Sequence, residues 1–151
     1  MFRYLIVGFC VGYVIAYPEG APESACGNLS PQHGADVKPN PGYTIAYSQP
    51  NNGVYTVTLN APRNTSFKGF IIQAFDSRDG KTTVGQFAAP NGPHSKLICN
   101  GAGVTHTERN PLTSVQLQWQ GTPGTKVYFK ATVVVKYDEI YGDIVSGEFT
   151  V

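Results

Sequence analysis

Charged side chains are scarce in this 151-residue chain, where 14% of the residues are Asp, Glu, Lys or Arg. The 11 basic and 10 acidic residues nearly cancel, which excludes the strongly basic surface that is typical of nucleic-acid-binding proteins. Aromatic residues make up 12%, which is too many for a disordered chain. The length leaves room for one domain with a hydrophobic core rather than for two.

Sequence motifs that carry catalysis or bind metals are also missing. No G-x-S-x-G or H-E-x-x-H motif occurs, and His33, His94 and His106 have no metal-site spacing. We interpret His33 and His94 as solvated loop residues and His106, in a strand candidate, as a buried hydrogen-bonding group. Asp138 and Glu139 would face opposite ways on a strand, which is poor geometry for acid–base chemistry. We therefore predict no enzymatic activity, no metal site and no cofactor.

The first 16 residues are typical of a secretory signal peptide. Arg3 precedes an apolar run from Leu5 to Ile15, and we expect cleavage after Ala16. The run is about half of the roughly 20 residues that a membrane-spanning helix needs, so a membrane anchor is the weaker interpretation. We expect a secreted, soluble mature domain of residues 17–151 with no net charge, because Arg3 is removed.

Cysteine is rare, and Cys10 would leave with the signal peptide. The two remaining cysteines, Cys26 and Cys99, most simply form one disulfide in an oxidising compartment. Such a bond would close a loop of more than 70 residues, for which chain entropy predicts a stabilisation of about 4 kcal/mol. It would tie the otherwise loose N-terminal segment to the middle of the sheet. Neither cysteine lies in a C-x-x-C pair, so redox catalysis has little support.

Two N-x-S/T sequons begin at Asn28 and Asn64 and are candidate glycosylation sites. Asn64 follows the turn-like residues Pro62 and Arg63, which is a favourable acceptor context. Asn28 lies close to Cys26, where we expect poorer access.

Strand patterns fill the rest of the sequence. Residues 67–76 are apolar on both faces and end at the turn-forming residues 77–80, which predicts a central strand covered on both sides. Residues 115–119 alternate between apolar and polar, and residues 126–137 form the longest alternating run. Eight or nine short strands, regular turn signals and no helical period predict an all-β, antiparallel β-sandwich.

Three lysines, Lys126, Lys130 and Lys136, share the predicted outer face of the longest strand, with Tyr128 between the first two. We call these four residues the lysine stripe. Ammonium groups beside an aromatic ring could bind phosphates of bacterial lipopolysaccharide or another anionic glycan. The alternative is a solvated face whose lysines prevent edge pairing. A second group of cations flanks the central strand and is equally ambiguous: Arg63, Lys68, Arg78 and Lys81.

Four segments, taken in order, resemble signatures of the reelin-type, or reeler, domain family. Residues 68–74 resemble the core-strand pattern F-x-G-F-h-h-Q-A, where h is hydrophobic. Residues 17–26 are similar to the start of small secreted insect defense proteins that consist of one such domain. Residues 104–107 and 119–123 resemble the patterns h-T-H and W-x-x-x-P. The likeness covers nearly all of residues 17–151 and implies an immunoglobulin-like sandwich.

The resemblance also implies a function, namely a secreted innate-immunity protein of the haemolymph. Such a protein would bind microbial surface components, including lipopolysaccharide, and host blood cells during antibacterial defense and nodule formation. The alternative is an extracellular adhesion or matrix module without an immune role. A redox role is a weaker alternative, because the domain also occurs beside cytochrome-type membrane segments and the sequence has no heme-ligand pair. Membrane disruption is disfavoured by the zero net charge and the lack of a cationic amphipathic helix.

Overall fold

The computed structural model describes residues 19–30, 36–48, 50–90 and 94–151. The predicted signal peptide and His33 lie outside these residues. Within them the chain is all-β, as predicted, with two single-turn 3₁₀ helices at Glu23–Ala25 and Cys99–Gly101. The strands are β1 (Val37–Lys38), β2 (Thr44–Tyr47), β3 (Tyr55–Asn60), β4 (Gly69–Asp76), β5 (Gln86–Phe87), β6 (Ser95–Ile98), β7 (Gly103–His106), β8 (Ser114–Gln120), β9 (Lys126–Lys136), β10 (Glu139–Val145) and β11 (Phe149–Thr150).

These strands form two sheets that pack face to face. The larger sheet has the order β1-β10-β9-β4-β7-β6, with β11 also paired to β9, and the smaller sheet has the order β2-β3-β8-β5. Every pair among the described strands is antiparallel except β1 with β10, which is parallel. The predicted sandwich is confirmed. The strand number exceeds the predicted eight or nine for two reasons. Strand β1 has only two residues, too few to show alternation. Strand β10 contains Gly142 and Asp143, residues that are typical of turns.

The main core lies between the two sheets and is rich in aromatic rings. Trp119 and Phe129 meet edge to face with ring centroids 5.3 Å apart. The indole N–H of Trp119 donates to the carbonyl oxygen of Val84 at 3.2 Å, so its one polar group is satisfied. The indole ring also lies so close to Gly85 and Gly121 that a Cβ at either position would collide with it.

Strand β4 is buried along its whole length, which confirms the prediction of a central strand covered on both sides. Its inner face, with Phe70 and Ile72, packs in the core between the sheets. Its outer face, with Ile71 and Phe75, packs in a second cluster that includes Ala25, Leu29 and Ile98. The chain N-terminal to β1, rather than another sheet, therefore covers the outer face.

Residues 19–30, here called the N-terminal segment, are held on that outer face by three ties. The disulfide between Cys26 and Cys99 is present, with the two Cα atoms 5.8 Å apart. The backbone N–H of Gly27 donates to Oε1 of Gln73 at 2.7 Å. The backbone N–H of Ala21 donates to Oγ1 of Thr105 at 2.9 Å. The predicted disulfide is confirmed, but Cys99 follows the edge strand β6, so the bond ties the segment to the edge of the larger sheet and not to its middle. The hydrogen bond to Gln73 on β4 makes the attachment to the middle.

Candidate ligand-binding cleft

A cleft of about 210 Å³ lies between the N-terminal segment and the outer face of the larger sheet. Ala21, Ala25 and Leu29 line it from the segment, and Ile71 and Val134 line it from β4 and β9. The side chains of the segment are mostly small here, so the segment spans the sheet without filling the space beneath it. The result is an apolar cavity with an open mouth.

Three exposed cations stand among the residues that line the cleft: Lys68, Arg109 and Lys136. Lys68 precedes β4, Arg109 follows β7, and Lys136 ends β9. Because β4 is antiparallel to both β7 and β9, the start of β4 lies beside the ends of its two neighbours. No carboxylate is found among the described residues that line the cleft. Outside the lining, Oε2 of Glu139 lies 3.9 Å from Nζ of Lys136. The local charge of the lining is therefore positive.

The residues of the h-T-H pattern build the end of the cleft near β7. Nδ1 of His106 accepts a hydrogen bond from the backbone N–H of Phe70 at 3.0 Å, so this nitrogen carries no proton. Oγ1 of Thr105 donates to the carbonyl oxygen of Phe70 at 2.7 Å. The imidazole lies against Gly69, where a Cβ would come within 2.9 Å of Cε1. The interpretation of His106 as a buried hydrogen-bonding group is confirmed, and the glycine of the core-strand pattern makes room for it.

Gln73 is a residue whose role the sequence analysis missed. Its side chain is 1% exposed, and its amide oxygen holds Gly27 of the N-terminal segment. The available signal was a single amide in a strand that is apolar apart from its last residue, Asp76. A buried amide needs a partner, and here the partner is the backbone of a segment 46 residues away in sequence.

The lysine stripe does face outward, but each of its lysines lies next to a carboxylate. Nζ of Lys126 lies 3.1 Å from Glu148, and Nζ of Lys130 lies 3.2 Å from Asp143. The ring of Tyr128 stacks on Phe75, with centroids 5.9 Å apart. Lys136 belongs to both the stripe and the cleft mouth. The stripe is thus a row of surface ion pairs rather than a continuous cationic surface.

The second group of cations does not come together as one site. Arg78 binds Asp76 with both its Nε and Nη2 atoms, and the Nη2–Oδ2 distance is 2.6 Å. This hydrogen-bonded pair lowers the pKa of Asp76 and raises that of Arg78. Arg63 and Lys81 are exposed in turns away from the cleft, and only Lys68 reaches it.

Both candidate glycosylation sites are exposed. Asn64 has a positive φ of 61° in a turn closed by the Thr65 N–H, which donates to the carbonyl oxygen of Pro62 at 3.1 Å. Asn28 is exposed as well, contrary to the poor access expected from its proximity to Cys26. Its Oδ1 accepts the N–H of Ser30 at 2.8 Å. Glycosylation of either residue stays a prediction.

The described residues contain one group with the spacing of a metal site, namely Glu23, Cys26 and Cys99. Its two cysteines are joined in the disulfide, so they offer no thiolate. His94 pairs with Glu108 on the surface. No helix in the part of the chain that the structure describes is long and apolar enough to cross a membrane.

Comparison with known proteins identifies relatives of two kinds. The model of the Reeler domain matches residues 24–151. Defense protein l(2)34Fc of Drosophila melanogaster is 37% identical over 145 residues, which cover 89% of each chain. Ferric-chelate reductase 1 of Mus musculus is 29% identical over 144 residues, but the match covers 88% of this chain and only 24% of that protein.

The fold is also found in a solved structure. The Reelin-N domain of F-spondin superposes with a TM-score of 0.62 at 22% identity. The match covers 77% of this chain and 91% of that one. At this level of identity the likeness shows a shared fold and nothing about ligands.

Proposed function

Because this chain belongs to the Reeler domain family, we propose that it is an extracellular, non-enzymatic defense protein that binds anionic components of microbial surfaces. The Drosophila relative, which is named a defense protein and has nearly the same length, supports the defense role. The disulfide agrees with an oxidising compartment. We further propose that the protein acts in haemolymph, where it binds lipopolysaccharide and host blood cells.

One observation carries the anion-binding part of this proposal. Lys68, Arg109 and Lys136 converge on one cleft whose lining has no described carboxylate, although Glu139 lies 3.9 Å from Lys136. Lys126 and Lys130 instead lie along the strand face outside the cleft, beside Glu148 and Asp143. Cations that converge on a partly enclosed apolar surface attract an anion more strongly than cations spread along an open, solvated face. We therefore propose the cleft as the preferred binding site for an anionic ligand and the lysine stripe as the alternative.

The experiment measures retention of the purified secreted protein on whole bacteria, fungal cell wall and immobilised lipopolysaccharide at low and high salt. Two variants with matched loss of charge distinguish the locations. The mouth variant, Lys68→Gln with Arg109→Gln, removes cations from the cleft alone. The stripe variant, Lys126→Gln with Lys130→Gln, removes the same charge outside it. Lys136 is unchanged in both, because it belongs to both surfaces.

Salt-sensitive retention that is lost in the mouth variant and kept in the stripe variant supports recognition at the cleft. The reverse pattern would move the site to the lysine stripe. No retention on any microbial surface would overturn the proposal. Binding to host blood cells alone, measured in parallel, would favour an adhesion module.

The reductase relative does not favour a second candidate function. The chain spans about a quarter of that protein, so its activity belongs to a much longer chain. The disulfide also removes both cysteine thiols of the described residues from redox or metal chemistry at the cleft.

A further inference from the structure

We propose that the cleft binds a single unbranched alkyl chain of medium length that ends in a carboxylate or phosphate. This inference rests on the proposed use of the cleft and names the chemical class of its ligand. It follows from the combination of an enclosed apolar space with a cationic mouth, neither of which alone would select such a ligand.

The apolar part of the cleft is large enough for a short hydrocarbon chain. An engineered protein cavity of about 150 Å³, lined by aliphatic and aromatic side chains, stays dry and binds benzene. The cleft measures about 210 Å³, which at the same ratio corresponds to about eight carbon atoms. Its lining includes the half-buried residues Ala21 and Val134, backed by the buried residues Ala25, Leu29 and Ile71. Such walls offer methylene groups many contacts and give water few hydrogen-bonding partners.

The shape of the cleft favours a narrow chain over a broad ring system. One wall is the outer face of β4 and β9, and the other is the N-terminal segment, which crosses it as a 3₁₀ helix and a turn. The disulfide and the bond from Gly27 to Gln73 limit how far the two walls can separate. An unbranched chain fits between two such surfaces without moving them apart.

The mouth supplies the reason for an anionic end group. Lys68 lies where β4 begins, beside Lys136 at the end of β9. Lys68 forms no ion pair with any described carboxylate, and Lys136 lies 3.9 Å from Glu139. A carboxylate or phosphate at the mouth would approach these ammonium groups while its chain enters the apolar space. Lysine and arginine both bind such groups through charge-assisted hydrogen bonds. A neutral head group would gain the apolar contacts but not these bonds.

The test is a titration of the ¹⁵N-labelled secreted protein with alkyl carboxylates of four to twelve carbons below their micelle-forming concentrations. We expect the amide signals of Ala21, Ala25 and Ile71 to shift. The affinity should increase by up to about fourfold for each added methylene and level off near eight carbons. Octyl phosphate distinguishes a phosphate from a carboxylate head, and octanol serves as the neutral control.

The mouth and stripe variants are titrated in the same way. We expect the mouth variant to bind octanoate at least about tenfold more weakly, and the stripe variant to match the wild type. Octanol should bind at least about tenfold more weakly than octanoate. Four results would each overturn the inference: no saturable binding of any alkyl anion, equal binding of octanol, shifts confined to other residues, or equal weakening in both variants.

The outcome is separable from that of the microbial experiment. Retention on bacteria without binding of alkyl anions would refute this inference and leave the proposed function in place. Binding of alkyl anions without retention on any microbe would refute the proposed function and leave this inference in place.

Discussion

The two faces of the larger sheet are buried in different ways. The inner face packs against a second sheet through large rings, including Trp119 and Phe129. The outer face is covered by the N-terminal segment, which contributes Ala25 and Leu29 and is held by a disulfide and two hydrogen bonds to side chains. The inner face is thus closed by apolar packing, and the outer face by a few specific ties.

This difference suggests how the domain divides stability and binding between its faces. Hydrophobic stabilisation increases with the apolar area buried, so the aromatic core should dominate the free energy of unfolding. The disulfide and the two hydrogen bonds hold the N-terminal segment on the outer face and leave the cleft beneath it. We therefore expect changes on the inner face to unfold the domain, and changes on the outer face to release the segment while the sandwich persists.

The largest effect is expected on the inner face, for the substitution Trp119→Ala. Truncation of a fully buried tryptophan leaves a cavity and should lower the free energy of unfolding by about 3–5 kcal/mol. The measurement is urea denaturation followed by circular dichroism, with Leu97→Ala on an exposed edge as the control. A loss below about 1 kcal/mol would contradict the importance given to this core.

The second-largest effect is expected when the disulfide on the outer face is removed. Replacement of both Cys26 and Cys99 by serine should lower the free energy of unfolding by about 2–4 kcal/mol. The native fluorescence of Trp119 should remain, because the indole lies on the inner side of the larger sheet. Amide exchange of residues 19–30 should become fast. If Trp119 becomes exposed as well, the two faces are not separable.

A smaller change concerns the hydrogen bond between Gln73 and Gly27. Gln73→Leu keeps the approximate shape of the side chain but removes the acceptor, and should cost about 1 kcal/mol. The amide of Gly27 should exchange faster than in the wild type. Gln116→Leu, on the exposed face of β8, is the matched control. Unchanged exchange at Gly27 would show that the disulfide alone positions the segment.

The smallest effect is expected in the turn after β4, which belongs to neither face. The side chain and N–H of Thr82 and the N–H of Lys81 donate to Asp79 and lower its pKa from 3.8 to about 2. Because the folded pKa is below the unfolded value, the carboxylate stabilises the fold above about pH 4. This contribution is lost as the pH falls through about 2.

The variant Asp79→Ala tests this expectation. Its melting temperature should be slightly below that of the wild type at pH 7, and the difference should shrink between pH 4 and pH 2. Thermal melts across this range provide the measurement. A difference that does not change with pH would show that the charge of Asp79 has no part in the stability of the turn.

The sandwich could be predicted from the sequence because the strongest patterns mark its central strands. Residues 67–76 are apolar on both faces, and β4 is indeed covered on both sides. The alternation along β8 matches its pattern of exposed and buried residues. Two-residue strands such as β1 escaped prediction, since alternation needs more residues to be recognised.

The cleft could not be predicted in the same way, because it depends on which distant segments meet. Nothing in the local sequence of Lys68 and Arg109 shows that the ends of β4 and β7 bring them to one mouth. Alternation did place Lys126 and Lys130 on the outer face of β9. It could not show that Glu148 and Asp143 would lie beside them.

The covalent tie on the outer face has a consequence for biosynthesis. The partners of the N-terminal segment, Gln73, Cys99 and Thr105, are all translated after it. Cys26 precedes Cys99 by 73 residues, so at about 5–20 residues per second it waits roughly 4–15 s for its partner to be synthesised. During that interval the Cys26 thiol cannot form its native disulfide and stays open to pairing with other thiols. The N-terminal segment is therefore translated early but can be fixed on the sheet only after Cys99 and Thr105 have been made.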